Sequence, residues 1–388
     1  MEKNSLWKKQ LSRLLKLKRL WLLLLLPLAA LSLFAASRSQ EVAEHVFARG
    51  VFVGISWVMA HITSIFPFSL MELGILVLPF LLVFVLVRFI VRLVRDNKER
   101  GFRLAKAFIN LLCVASIVVF LLFIGCSINY YRYPVAKYLE LTVEPASKEE
   151  LYALVSRLAQ ETSKVREQLA AHEGEDGVYT LSVTERDLGK KAVKAFGKLA
   201  EKYPVFDGYY PQPKHIFFSR EMSKTELTGI FCPFTMEANV NIDISDYSIA
   251  STMCHELAHL KGFIREDEAN YISFLACMAS DDLELRYSGL MEALILSGNA
   301  LYRKDADLYF QVRATYHDGV SRDLAANSKY WAQFEDTVIS NTAEKLNDTY
   351  LKANNQEDGV QSYGRMVDLL LAQYRKEMQE ESGMFGEN

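Results

Sequence analysis

The sequence predicts a mainly α protein: N-terminal transmembrane helices, then an α+β domain with a small β-sheet and a helical C-terminal part. Three observations carry this. Three long apolar runs are confined to residues 1–131, whereas residues 132–388 disperse their charge as a globular chain does. Short β-branched and aromatic runs, separated by turn residues, cluster between residues 214 and 244. Most of the remaining chain has apolar residues at helical spacing. The chain has 388 residues, of which 51% are hydrophobic and 12% aromatic, with 19 glycines and 5 cysteines. Disordered, collagenous and disulfide-scaffold classes are thereby excluded. A net charge of −3 gives no reason to expect nucleic acid.

The membrane region is residues 1–131. Residues 20–37 and 107–131 carry no charge, and residues 66–87 carry one, Glu72. At about 1.5 Å rise per residue each run can cross a hydrocarbon core of roughly 30 Å. Spans are therefore expected at about 20–37, 70–90 and 107–128. The first run could also serve as a secretory signal, with Ala35-Ala36-Ser37 near a cleavage site, but further spans follow it. Seven Lys or Arg precede Leu20 and seven more lie from Arg88 to Lys106, against only Arg38 and Arg49 between the first two spans. The positive-inside rule then puts the N-terminus in the cytoplasm and residues 132–388 outside it. A fourth charge-free run, residues 50–71, would place the basic segment outside if it spanned. It is read as an interfacial or re-entrant helix over about 50–66, with His61 and Glu72 in a wet boundary.

In the outer domain, Ser147-Lys148-Glu149-Glu150 is a capping box that opens a helix. A second helix is expected from near Thr184 to before Tyr203-Pro204. Residues 214–218, 229–234 and 237–244 read as strands. A helix over about 248–261 follows, stopped by Gly262, and the remainder to about residue 384 is helical. No CxxC pair exists, so a cysteine metal site is not expected, and Cys254 reads as a small packing residue.

Residues 255–259 read His-Glu-Leu-Ala-His. On a helix His255 and His259 share a face one turn apart, so both can bind one divalent ion. Zn²⁺ lowers the pKa of a water toward about 7, and Glu256 is placed to take its proton. The bland alternative is two surface histidines on an amphipathic helix. The apolar surroundings, Ile249, Met253, Leu257 and Leu260, argue against it. Arg265 occupies the place of a third histidine in HExxHxxGxxH, and arginine is not a ligand.

Downstream, Glu266-Asp267-Glu268-Ala269-Asn270 resembles the E-x-x-A-[ND] element of gluzincin metallopeptidases. That resemblance implies a zincin-like domain, with Glu266 as third ligand and Asn270 orienting a histidine from outside the ligand set. Glu268 is the alternative ligand. The spacing after His259 is shorter than in those relatives, so Gly262 must turn the chain sharply. The stretch HELAHLKGFIREDEANYISFLAC resembles a family of bacterial three-pass membrane proteins with this signature, as do residues 229–235, 286–289, 347–354 and 362–365.

The resemblance implies a membrane-anchored zinc peptidase of the bacterial cell membrane, acting outside the cytoplasm near the bilayer on a peptide or protein. The competing reading is a catalytically inactive receptor or envelope assembly factor on the same fold. A transporter is disfavoured because the spans have almost no polar groups. Glu237, Ala238 and Asn239 are the best candidate for an edge strand that pairs with an extended substrate, with an ordinary interior strand as the alternative. Tyr363 and Tyr287 are the expected oxyanion donors, with Arg365 and His317 behind them. The sequence specifies neither substrate nor oligomeric state.

Overall fold

A computed structural model describes residues 10–95, 99–354, 356 and 364–386. The chain is mainly helical with one three-stranded sheet. It forms two compact units: Met1–Ile55 with Leu70–Arg132, and Ser56–Ser69 with Tyr133–Asn388.

Among the described residues, four helices are long and apolar enough to cross a membrane: α1 (Lys18–Arg38), α2 (Val42–Thr63), α3 (Leu70–Arg95) and α4 (Arg100–Tyr131). α3 is built almost wholly of Leu, Val, Ile and Phe yet buries none of its residues, a composition suited to an apolar surrounding. Ala36, Ala43, Ile124 and Ile128 make a small core in the first unit. α2 begins at Val42, well before the charge-free run that marks it in the sequence. Glu44 does not interrupt it because Arg132 donates to both carboxylate oxygens, each at 3.2 Å, with both side chains buried.

In the second unit, α5 (Lys148–Gln168) starts with the Ser147–Glu150 capping box, and α6 (Glu185–Lys202) with Thr184 accepting from the Asp187 amide. The strands are β1 (Lys214–His215), β2 (Gly229–Cys232) and β3 (Glu237–Val240). Three helices, α7 (Asp246–His259), α8 (Glu266–Ala279) and α9 (Leu283–Lys304), pack on one another and against α5, α6 and the sheet. α10 (Ala306–Arg313), α11 (Asp318–Trp331), α12 (Val338–Ala353) and α13 (Met366–Gly386) complete it.

The sheet corrects one expectation. Strand order is β1-β3-β2, so Glu237, Ala238 and Asn239 lie in the middle strand, not at an edge. All four residues of β3 are buried. Their polarity imitates a solvated strand because it is satisfied internally. Lys214 pairs with Glu237 at 2.5 Å, and the Asn239 amide donates to the Ile230 carbonyl. The edge that faces α7 is β2.

Candidate metal centre

α7 is an apolar helix, and its sequence spacing puts His255 and His259 one turn apart on one side. Gly262 then turns the chain with a left-handed φ of 77°, a conformation a Cβ disfavours. The Gly262 amide bonds back to the His259 carbonyl. Extended Arg265 caps α8, whose first residue is Glu266. This short reversal returns the Glu266 carboxylate to the histidine pair.

One atom from each of His255, His259 and Glu266 lies within 4.8 Å of the others. His255 Nε2 is 3.1 Å from His259 Nε2 and 3.1 Å from Glu266 Oε2; His259 Nε2 is 3.7 Å from the same oxygen. Tetrahedral zinc with bonds of about 2.0–2.1 Å spaces its ligands roughly 3.3 Å apart, so the three atoms fit one such ion. The far side of each ring is fixed. His255 Nδ1 is 2.6 Å from Asn270 Oδ1, and His259 Nδ1 is 2.7 Å from the Phe263 carbonyl. Both partners are acceptors, so each Nδ1 carries the proton and each Nε2 offers a lone pair inward. Three electron-pair donors thus converge, an arrangement relieved only by a proton or a cation.

The electrostatics follow from this crowding. Burial opposes charge on His255, but the adjacent Glu266 carboxylate outweighs it and raises the ring to about 9. Burial likewise opposes ionisation of Glu266, and the two imidazoles overcome it, holding the carboxyl at about 2.

Glu256, next along α7, points to β2. It accepts the Phe231 backbone amide, while burial pushes its carboxyl up to about 7 against the pull of both histidines. A Cβ at Gly229 would stand 2.3 Å from Glu256 Oε1, so only glycine leaves room for that carboxylate against the strand. Glu256 Oε2 is buried with no hydrogen-bond partner among the described residues. The Phe231 ring lies 5.9 Å from that of His259.

The remaining expected residues fall elsewhere. Glu268 is not in the cluster: its Oε1 accepts from the Val135 amide at 2.9 Å and from Arg265 at 3.1 Å. Tyr287 is not an oxyanion donor here. It is fully buried and donates its hydroxyl to Asp323, in a network with Arg166 and Tyr179. Burial and the Asp323 charge push the phenol far above its usual range, leaving it a fixed donor to one acid. His317 caps α11 through Nδ1, which accepts from the Gly319 amide. Arg365 is exposed. Tyr363 lies outside the described residues.

The structure adds residues the sequence did not single out. Gly229 and Phe231 shape the Glu256 side of the centre. Glu292, on α9, bonds the Ser251 side chain one turn before His255 and feels the His255 charge. Burial raises its carboxyl to about 7, and its Oε2 has no partner among the described residues. The available signal was an acid interrupting the buried face of α9 formed by Ser288, Met291 and Leu294. Cys254 and Cys277 are buried, free and 3.8 Å apart at sulfur.

No curated protein and no solved structure matches the chain. Residues 47–371, most of the chain and all of the elements that build the cluster, match the family model described as protein of unknown function (DUF3810), and the chain belongs to that family.

Proposed function

We propose that the protein is a membrane-anchored zinc-dependent peptidase of gluzincin type, with its catalytic unit outside the cytoplasm. The observation that carries this reading is the convergence of His255, His259 and Glu266 beside a buried glutamate that keeps one oxygen bare. In that reading His255, His259 and Glu266 would hold Zn²⁺, which would supply Lewis-acid polarisation of a peptide carbonyl and a lowered pKa for the attacking water. Asn270 and the Phe263 carbonyl lock both imidazoles in the ligating tautomer. Glu256 Oε2 holds the proton taken from the water and delivers it to the leaving amine. Burial supports this role, because a carboxyl raised toward neutrality both accepts and returns a proton near pH 7. The edge strand β2, rather than β3, is the one available to pair with an extended peptide. It stands against Glu256, and Ile230 on it is exposed.

The test is Glu256→Gln in the full chain. Zinc content should stay stoichiometric while peptide hydrolysis falls by about 10²–10⁴. Wild-type protein that purifies without zinc under metal-replete conditions would sink the proposal. A Glu256→Gln chain that fully restores the function of a deletion strain would favour the inactive receptor or assembly factor.

A further inference from the structure

The second unit contains a helix turned inside out. Within Ser56–Thr63 the buried residues are Ser56, Ala60 and Thr63, small or polar, while Trp57, Val58 and Ile62 point outward and are about half exposed. A helix on a water-soluble domain does the opposite. The segment belongs to the metal-bearing unit and is held to it on its buried face. Ser56 Oγ donates to the Leu260 carbonyl at 3.2 Å, one residue past His259. Lys214, already paired with Glu237, also donates to the Thr63 carbonyl at 2.8 Å. Tyr209 stacks on His61, ring centroids 3.7 Å apart, and its hydroxyl donates to Ser64.

The exposed apolar character continues past the helix. Ile65 is 75% exposed and Phe68 is exposed. Three residues beyond Lys214, which grips the end of the helix, Phe217 is 81% exposed beside exposed Phe218. A soluble surface rarely gathers such residues without a partner.

We propose that Trp57, Ile62, Ile65, Phe68, Phe217 and Phe218 seat the metal-bearing unit in the head-group layer of the lipid bilayer, and that its substrates are polypeptide segments held at that surface. Lipid is the occupant because the inverted segment is the end of α2, a helix of 22 residues that is apolar and long enough to lie in a membrane. Small polar residues inward with large apolar residues outward is the pattern of a helix whose solvent is hydrocarbon. α2 then lies along the outer boundary instead of crossing. That leaves three crossings and keeps the basic segment from Arg88 to Lys106 on the cytoplasmic side. The Ser56–Leu260 bond ties the seated helix to the end of the ligand helix. The substrate half of the proposal rests on the peptidase reading; the seating half does not.

The test uses the full chain in phosphatidylethanolamine/phosphatidylglycerol vesicles, with single nitroxide labels at Ile65→Cys, Phe217→Cys and, as a control on α10, Phe310→Cys. The native cysteines in the structure are all buried, so labelling is selective. Oxygen, which partitions into lipid, should relax the labels at 65 and 217 more than a water-soluble nickel chelate does, with the reverse at 310. Water-like labels at 65 and 217 overturn the seating. Labels there shielded from both reagents overturn it in favour of a second copy or a protein partner. A second arm uses Phe217→Glu with Phe218→Glu. Cleavage of a peptide anchored by a lipid chain in the same vesicle should fall at least about tenfold, while zinc content and cleavage of the free peptide hold. Equal losses on both peptides overturn the substrate assignment. A wild-type chain that cleaves neither peptide overturns the peptidase reading and the substrate assignment, with the label depths still deciding the seating.

Discussion

The second unit buries two clusters of acids, and they differ in how their oxygens are used. Around Arg166, both oxygens of Asp323 and both of Glu284 are donated to. Asp323 accepts from the Tyr179 amide on one oxygen and from Arg166 and Tyr287 on the other; Glu284 accepts from Tyr179, the Ser182 amide and Lys191. Around His255, Glu256 and Glu292 each keep an oxygen without a partner among the described residues, and the lone pairs of His255, His259 and Glu266 converge. Leaving buried polar atoms bare costs stability, so a fold retains them where something else is to be bound. Burial alone therefore does not mark chemistry, and neither does one bare atom, since Arg166 Nη1 and Glu268 Oε2 are also buried without a partner among the described residues; what sets the His255 region apart is bare carboxylate oxygens beside converging lone pairs.

The sharpest way to break this contrast is at the ligands. Glu266→Ala should abolish zinc binding and activity together. Glu268→Ala should retain zinc and lose about 1–3 kcal/mol of stability, because the Val135 amide is left buried and unpaired. Metal analysis beside denaturant unfolding separates the two; equal zinc loss would reassign the third ligand. Next in size, Asp323→Ala strands Arg166 and should cost about 3–5 kcal/mol, with normal zinc per folded molecule.

Asn270→Ala should weaken zinc affinity by about 10–100-fold by freeing the His255 ring, read by competition with a chelating dye. Stripping the metal should give the second unit a falling stability as pH rises from about 4.5 to about 8, above which Lys261, lowered to about 8 by burial, acts in the opposite sense. Glu256 and Glu292 at about 7 and His255 at about 9 all titrate higher folded than their ordinary 4.5 and 6.5. The folded apoprotein therefore binds more protons than the unfolded chain across that window. The holoprotein should show a weaker dependence in the same unfolding series. The smallest effect is Tyr287→Phe, about 1 kcal/mol of stability with unchanged turnover; a large loss of turnover would return that phenol to the site.

What was legible in the sequence follows the reach of each signal. His255 and His259 are fixed by helical periodicity, Gly262 by its need for a left-handed turn, and the ends of α5 and α6 by capping chemistry, all within a few residues. Strand order is a long-range property. Edge and interior positions could not be told apart for Glu237 and Asn239 because their partners, Lys214 and the Ile230 carbonyl, are set by topology. Tyr287 was equally opaque: its hydroxyl is committed to an acid 36 residues away in sequence. Glu292 showed in the sequence only as an acid interrupting an apolar face, and what it touches was set when α9 docked on α7. The inverted segment Ser56–Thr63 was visible only as lack of charge; which face it buries required the fold.

The turn at Gly262 has a kinetic consequence. Every proposed ligand lies between His255 and Glu266, so an ion can close this helical hairpin at little loop entropy, before the sheet or the distant helices assemble. If the cluster holds zinc as proposed, metal capture would be an early event in maturation rather than a final loading step. The availability of zinc where the hairpin first emerges would govern how fast the rest of the unit condenses around it.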